Sequence, residues 1–245
     1  MFFTLPNIEF EFSVGKYTAK ICNTEKEYLK TTKLRYDIFY SDIKPPTLCE
    51  GYDFNKYDEN SDIIILKDGD DIVGTYRMRC STHTDSFYST SSFILDELFT
   101  ELKDRTIVEL SRACIAPSKR QGGAIISLWR AVKHYFSLVK AEYLIGCVSI
   151  FEDSPEIAYG IFKYLKDNNY YSDEYNIKPY DRYIKPEPKE IVSDDKHIPA
   201  LFSSYLKMGT RVYAKPAYDH IITGYDYFCM LNLKDFNPNY ENKLT

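Results

Sequence analysis

No two cysteines in this sequence stand in a CxxC spacing; the six (Cys22, Cys49, Cys80, Cys114, Cys147 and Cys229) are scattered. The four histidines do not group with them at metal-ligand spacing. No resident metal is expected, and the thiols read as reduced, mostly buried side chains of a cytoplasmic protein. No segment approaches the roughly 20 apolar residues that cross a bilayer, so membrane contact is expected to be peripheral, at the inner face. The opening "MFFTLPNIEF" lacks a basic region and a long apolar stretch, so no signal peptide is expected. Excess positive charge is also missing. The net charge is −5, which gives no reason to expect nucleic acid and leaves any anionic partner to a local basic patch. Repeats and low-complexity linkers are absent.

What is present is ordinary globular material. The 245 residues suffice for one large domain or two small ones. Tyr and Phe, at 23 and 15, argue against disorder. "KYTAKIC" (16–22) reads as a strand, followed by a helix that Thr24 and Glu27 can open as a capping box and that carries Tyr28, Leu29, Leu34, Ile38 and Phe39. Pro45-Pro46 closes that region. "DIIILKDGDDIVGTYRMRC" reads as two strands about an Asp-Gly turn. A short helix at 94–102 and a strand at 106–116 follow. Ile125, Leu128, Trp129, Val132, Phe136 and Val139 then form one helical stripe. "EYLIGCVSI" is a strand, and Ser154-Pro155 opens another helix. Residues 167–196 are polar and tyrosine-rich and read as a long surface excursion, a solvated loop rather than an aromatic wall. A helix ending near Gly209 and the strand "YDYFCMLNL" close the chain. This order predicts a single α/β domain over residues 1–245, a mixed central sheet flanked by helices.

"VELSRACIAPSKRQGGAI" (108–125) is the stretch that points to chemistry. A strand that runs through Lys119, Arg120, Gln121, Gly122, Gly123 and Ala124 into a helix aims backbone N–H groups and the helix dipole at one spot. That suits a pyrophosphate or phosphopantetheine arm. A tight turn with solvated basic residues fits the local sequence equally well. Glu109 and Arg112, three apart, point to opposite faces of a regular strand, and a β-bulge near Leu110-Ser111 would bring them to one side. A carboxylate beside a guanidinium could take a proton from an amine, or could be a strand-end ion pair.

"ELSRACIAPSKRQGGAIISLWRAV" resembles motif A of the GNAT-fold acyltransferases, with Lys119, Gly122 and Ala124 in its pattern. In order, "LRYDIFYSD", "DFNKYDENSD", "IVGTYRM", "LIGCVSI" and "IPALFSSYLKMGTRVYAKPAYD" resemble blocks of the ornithine Nα-acyltransferase family of ornithine-lipid synthesis, which is related to the acyl-homoserine-lactone synthases. The resemblance implies a GNAT-like fold. It also implies an N-acyltransferase moving a 3-hydroxyacyl group from acyl carrier protein, or acyl-CoA, to the α-amine of an amino acid, ornithine in the first instance, in aminolipid synthesis. Glu109 would be the base. Arg35, Arg77 and Arg112 would organise the site with acidic partners, Asp58 and Glu109. Residues 119–124 would hold the pantetheine, with Arg130 and Lys133 joining Lys119 and Arg120 in a basic surface for the carrier. A signal synthase with the same donor, and a non-catalytic carrier-binding module, are the alternatives.

Three departures bear on the acceptor: Asn55 replaces an acid, Ile63 a histidine, and Lys215 a glutamate. A cationic acceptor such as ornithine needs a pocket carboxylate, and Asp58, Asp62 and Asp219 are the candidates. If all three are tied up in caps and ion pairs, a small neutral amino acid is expected instead. Cys114, Cys147 and Trp129 read as packing, and His134 as a surface helix residue.

Overall fold

The computed structural model describes residues 2–40, 51–121 and 123–241. In chain order the elements are β1 (Glu11–Val14), β2 (Tyr17–Ile21), α1 (Glu25–Phe39), β3 (Asp62–Asp68), β4 (Asp71–Cys80), β5 (Phe93–Ile94), α2 (Asp96–Glu101) and β6 (Ile107–Ile115). They continue with α3 (Ala124–Val139), β7 (Tyr143–Ile150), α4 (Pro155–Asp167), β8 (Lys178–Pro179), α5 (Ala200–Met208), β9 (Arg211–Val212), β10 (Ala217–Asp219) and β11 (Gly224–Asn232). They fall into two compact units, one drawn from Met1–Ser86 and Val108–Ala141, the other from Phe87–Ile107 and Glu142–Pro238. The Pro45-Pro46 pair, Cys49 and Gly122 lie outside the described residues.

In the first unit β1, β2, β3, β4 and β6 pair in succession, all antiparallel. Tyr76 packs edge-on against Trp129 of α3, whereas its neighbour Arg77 reaches the cluster that Arg35 of α1 enters. Alternation along β4 therefore sets α1 and α3 on opposite faces of the strand. The start of α1 differs in detail from the expected capping box. Thr24 Oγ1 accepts from Glu27 N, but the Glu27 carboxylate accepts from Asn23 N. The buried face of α1 is Tyr28, Thr31, Thr32 and Arg35, while Leu34, Ile38 and Phe39 are only half-buried. A helix face read from apolar spacing misses this, because the burial is driven by a polar network.

In the second unit β11 pairs with β7, β9 and β10. Tyr225, Tyr227 and Cys229 face a core supplied by α4 and α5 (Ala158, Ile161, Leu165, Phe202, Leu206). The alternate residues Phe228 and Met230 face a second core with Phe93, Leu98, Tyr175 and Ile177. Ser154 caps α4 as expected, accepting from Ile157 N at 3.2 Å. The excursion is not a solvated loop throughout. Tyr175 and Ile177 are buried, and β8 pairs with β5. Its tyrosines pack by contacts distant in sequence, which periodicity cannot register.

Gly224 is fixed by close approach: a Cβ there would meet the Ile150 carbonyl oxygen at 2.3 Å, in backbone that cannot swing away. Gly224→Ala is expected to separate β7 from β11 and cost roughly 1–3 kcal/mol. Chemical denaturation checks this, and stability equal to wild type would contradict that close approach.

Candidate active site

The sequence fills the interior of the first unit with charge. Arg35 and Arg77 are fully buried, as are Asp53 and Glu109, and Asp58 and Arg79 are 2% exposed. Arg35 Nε donates to Asp53 Oδ2 at 2.7 Å, and its Nη1 and Nη2 donate to the two oxygens of Asp58 at 3.0 and 2.9 Å. This is a fork-on-carboxylate pair, the strong form of the interaction. Arg77 Nη1 donates to Asp58 Oδ1 at 3.2 Å and to Asn55 Oδ1 at 3.1 Å, while its Nε donates to Ser111 Oγ at 2.9 Å. Tyr28 donates to Asp58 Oδ2 at 2.8 Å. Arg112 Nε donates to Asp53 Oδ2 at 3.0 Å, and its Nη2 to Tyr40 Oη at 3.4 Å.

Local structure explains how strand residues reach this cluster. Arg77 of β4 stands opposite Ser111 of β6, and Thr75 stands opposite Cys114. Two residues of β6, Arg112 and Ala113, thus oppose Tyr76 alone. The bulge lies there rather than near Leu110-Ser111, where the sequence suggested it. Arg112 adopts a positive φ of 54°. A left-handed residue in a strand re-aims its side chain, so Arg112 meets Asp53 although alternation would turn it away from the Ser111 face. Glu109 stands opposite Arg79 in the ladder, within electrostatic reach of Arg79 and Arg77. Arg79 itself donates to the carbonyls of Glu59 and Ser86 at 2.6 Å each.

Burial opposes ionisation of Asp53, but Arg112 and Arg35 outweigh it and hold the carboxyl down at about 2. Asp58 is likewise held below its ordinary value against burial by Arg35 and Arg77. Burial lowers Arg77 and Arg79. It pushes the Cys22 and Cys114 thiols up to about 12, consistent with packing rather than nucleophilic roles.

The cluster brings together Arg35, Arg77, Arg112 and Asp58 with Asp53, Asn55, Tyr28, Tyr40 and Ser111. Asp53 begins the segment "DFNKYDENSD", and that acidic run was the one available signal for it. The expected acceptor carboxylates are all committed. Asp58 is held as above. Asp62 accepts from Tyr135 Oη at 2.8 Å and from Asn7 N at 2.6 Å. Asp219 accepts from Ile221 N at 2.7 Å in a turn. Lys215 pairs with Glu187 at 2.8 Å, so its charge is balanced.

The strand-to-helix turn is less free than expected. Lys119 pairs with Asp68 at 2.8 Å, and Arg120 Nε donates to the Ile115 carbonyl at 3.4 Å. Gln121 and Gly123 are exposed, and Ala124 is buried at the first position of α3. Gly123 has a φ of 85° with nothing within 4 Å of a would-be Cβ, so conformation and not space requires glycine there. Arg130 and Lys133 line an open groove with Phe10, Phe12 and His134. Among the described residues no group of His, Cys, Asp and Glu could hold a metal, and no helix is long and apolar enough to cross a membrane.

Asp53→Asn should be strongly destabilised, by about 3–5 kcal/mol, because it leaves Arg35 and Arg112 short of a counter-charge. A carboxyl with a depressed folded pKa stabilises above its unfolded value, about 3.9, and loses that contribution as pH falls towards about 2. Wild type should therefore lose stability more steeply than Asp53→Asn between about pH 4 and pH 2. Parallel acid branches in the two denaturation profiles would remove Asp53 from the account.

A family model for an acetyltransferase (GNAT) domain matches residues 34–130, the stretch from α1 into α3. The L-ornithine N(alpha)-acyltransferase of Agrobacterium fabrum is 23% identical over 93% of this chain and 84% of its own. The enzyme of the same name from Rhizobium meliloti is 23% identical over 94% and 84%. Among solved structures, the acyl-homoserine-lactone synthase LasI shares the fold, with a TM-score of 0.50 and 14% identity over 89% of this chain and 90% of that one. The chain is an acyltransferase with the GNAT fold, similar along nearly its whole length to the L-ornithine Nα-acyltransferases.

Proposed function

We propose that the chain N-acylates an amino acid. A fatty acyl group, 3-hydroxyacyl in the first instance, passes from a phosphopantetheine thioester on acyl carrier protein to the α-amine of ornithine, in aminolipid synthesis. The observation that carries this reading is the buried Arg–Asp–Glu cluster at the bulge of β6, one strand's end from the turn into α3, in a chain similar over 93% of its length to enzymes of that name. The amine nitrogen attacks the thioester carbon, a C–N bond forms and the C–S bond breaks. Glu109 accepts the amine's proton through water, and the departing sulfur leaves as the thiol or thiolate. Backbone donors at the bulge, with the guanidiniums of Arg77 and Arg112 behind them, stabilise the oxyanion. Gly123 and the start of α3 receive the pantetheine arm.

A second reading keeps the reaction and changes the acceptor to a small neutral amino acid. It is favoured by the commitment of Asp58, Asp62 and Asp219 to internal partners. A competition assay with equimolar ornithine, lysine, glycine and serine, products weighed by mass spectrometry, decides between them. Ornithine product predominating supports the first reading. Glycine or serine product keeps N-acyl transfer and overturns ornithine, and no product from any amine overturns both.

Glu109→Gln, compared as folded protein because it also removes a counter-charge from Arg79, should lose turnover by about 10²-fold or more, without rescue by saturating donor. Turnover within about twofold of wild type would take Glu109 out of the mechanism.

A further inference from the structure

Asp53 spends only one of its two oxygens. Arg35 Nε and Arg112 Nε both donate to Oδ2, at 2.7 and 3.0 Å. Oδ1 is buried and has no hydrogen-bond partner among the described residues. The other two buried aspartates of the first unit differ. Asp58 accepts from Arg35 and Arg77 on Oδ1, and from Arg35 and Tyr28 on Oδ2. Asp62 accepts from Asn7 N and Ile8 N on Oδ1, and from Tyr135 on Oδ2. An ionised carboxylate is acceptor only, and a buried oxygen with no donor is uncommon.

Charge narrows the donor that Oδ1 is suited to. Burial opposes ionisation of Asp53, but Arg112 and Arg35 keep it ionised at neutral pH, so a cationic donor makes its strongest hydrogen bond. A bare ammonium, however, would add to the excess of guanidiniums over carboxylates in this interior. A ligand that brings one charge of each sign avoids that cost. The position for its negative end is at hand. Of the two arginines on Asp53, the Arg35 side chain is fully buried, whereas that of Arg112 is 15% exposed. Arg112 is therefore the outer side of Asp53, standing 6.0 Å over the Phe39 ring. Anionic oxygen and cationic fork lie side by side, one hydrogen bond apart and within one unit.

We propose that Asp53 and Arg112 bind the α-carbon groups of the acceptor amino acid, its ammonium on Asp53 Oδ1 and its carboxylate on the Arg112 guanidinium. The proposal rests on the N-acyltransfer reading and deepens it: the acceptor is a free α-amino acid, and a simple amine or an amino-acid amide is a poor one. An outward shift of the Arg112 fork, with Nε kept on Oδ2, admits the ligand. The zwitterion leaves the charge of the interior unchanged and takes no acceptor from Arg35 or Arg77. Asp53 binds and orients the amine, and the proton of the transfer step goes elsewhere, because a carboxyl held ionised by two guanidiniums is a weak base.

The test measures affinities by calorimetry on the full chain, for ornithine and glycine, their α-hydroxy analogues and their amides. The hydroxy analogue lacks the ammonium and the amide lacks the carboxylate. Wild type should bind the amino acid that wins the acceptor competition about tenfold or more tighter than either analogue. Asp53→Asn should bring the preference over the hydroxy analogue within about threefold and keep the preference over the amide. Arg112→Gln, which retains an N–H donor for Asp53, should do the converse. Wild-type ratios near one, no binding of either amino acid, or both ratios falling together in each variant would overturn the proposal, the last because it marks a loss of structure. Asp53→Asn is also expected to be unstable, so a crystal structure of wild type with the amino acid provides the second measurement. The ligand nitrogen at hydrogen-bond distance from Asp53 Oδ1 supports the site, and water on Oδ1 with the ligand elsewhere overturns it. Failure of the function reading is distinct: it appears as no N-acyl product from any amine in the acceptor competition.

Discussion

Arg35 and Arg77 are fully buried, and the first unit is arranged around that fact. A guanidinium cannot be neutralised by shifting its pKa in the accessible range, so burial obliges the chain to deliver acceptors to it. Asp58 answers both arginines at once, and Asp53 answers Arg35 and Arg112. The consequence is geometric. α1, the 51–62 segment, β4 and the bulged stretch of β6 must all be in place before every member is satisfied. A network of this kind stabilises less than an apolar core of equal volume but tolerates few alternative arrangements, because each wrong one strands a charge. Among the described residues four guanidiniums, with Arg79 included, share this interior with three carboxylates, an excess of positive charge. In the acyl-transfer reading that excess lies where a thioester oxygen becomes an oxyanion.

The bulge is the link between the network and the proposed chemistry. A regular β6 would send Arg112 to the opposite side from Ser111 and leave Asp53 with Arg35 alone. One extra residue and one left-handed backbone turn recover Arg112 for the cluster. Strain of that kind is held by what surrounds it. Here the Asp53 ion pair on one side and the β4 ladder on the other hold Arg112 at a φ that non-glycine residues seldom adopt.

Much of the fold could be read from the sequence because its signals are local. The Asp68-Gly69 turn, the Ser154-Pro155 helix start, the apolar stripe of α3 and the runs forming β7 and β11 each carry their pattern within a few residues. Of the candidate site, the resemblance named positions that lie together in the structure: Arg35, Arg77, Arg112 and Asp58 share one network. Partnerships were not legible. Asp53 meets Arg112 across 59 positions and Asp62 meets Tyr135 across 73, and no periodicity encodes either. The same limit explains α1, whose buried face is polar. It explains the excursion as well, since Tyr175 and Ile177 are covered by Phe93 and Tyr213 from elsewhere in the chain.

The committed carboxylates constrain the acceptor more firmly than their number suggests. Suppose a substrate ammonium were to recruit Asp58. Arg35 and Arg77 would each lose an acceptor while fully buried, and leaving a buried charge uncompensated costs about 3–5 kcal/mol. Recruiting Asp62 would similarly release the buried Tyr135 hydroxyl and two backbone N–H groups, and recruiting Asp219 would open a turn. A cationic side chain that took any of these aspartates would therefore have to offset the loss of its present partner, a cost that a neutral side chain does not meet.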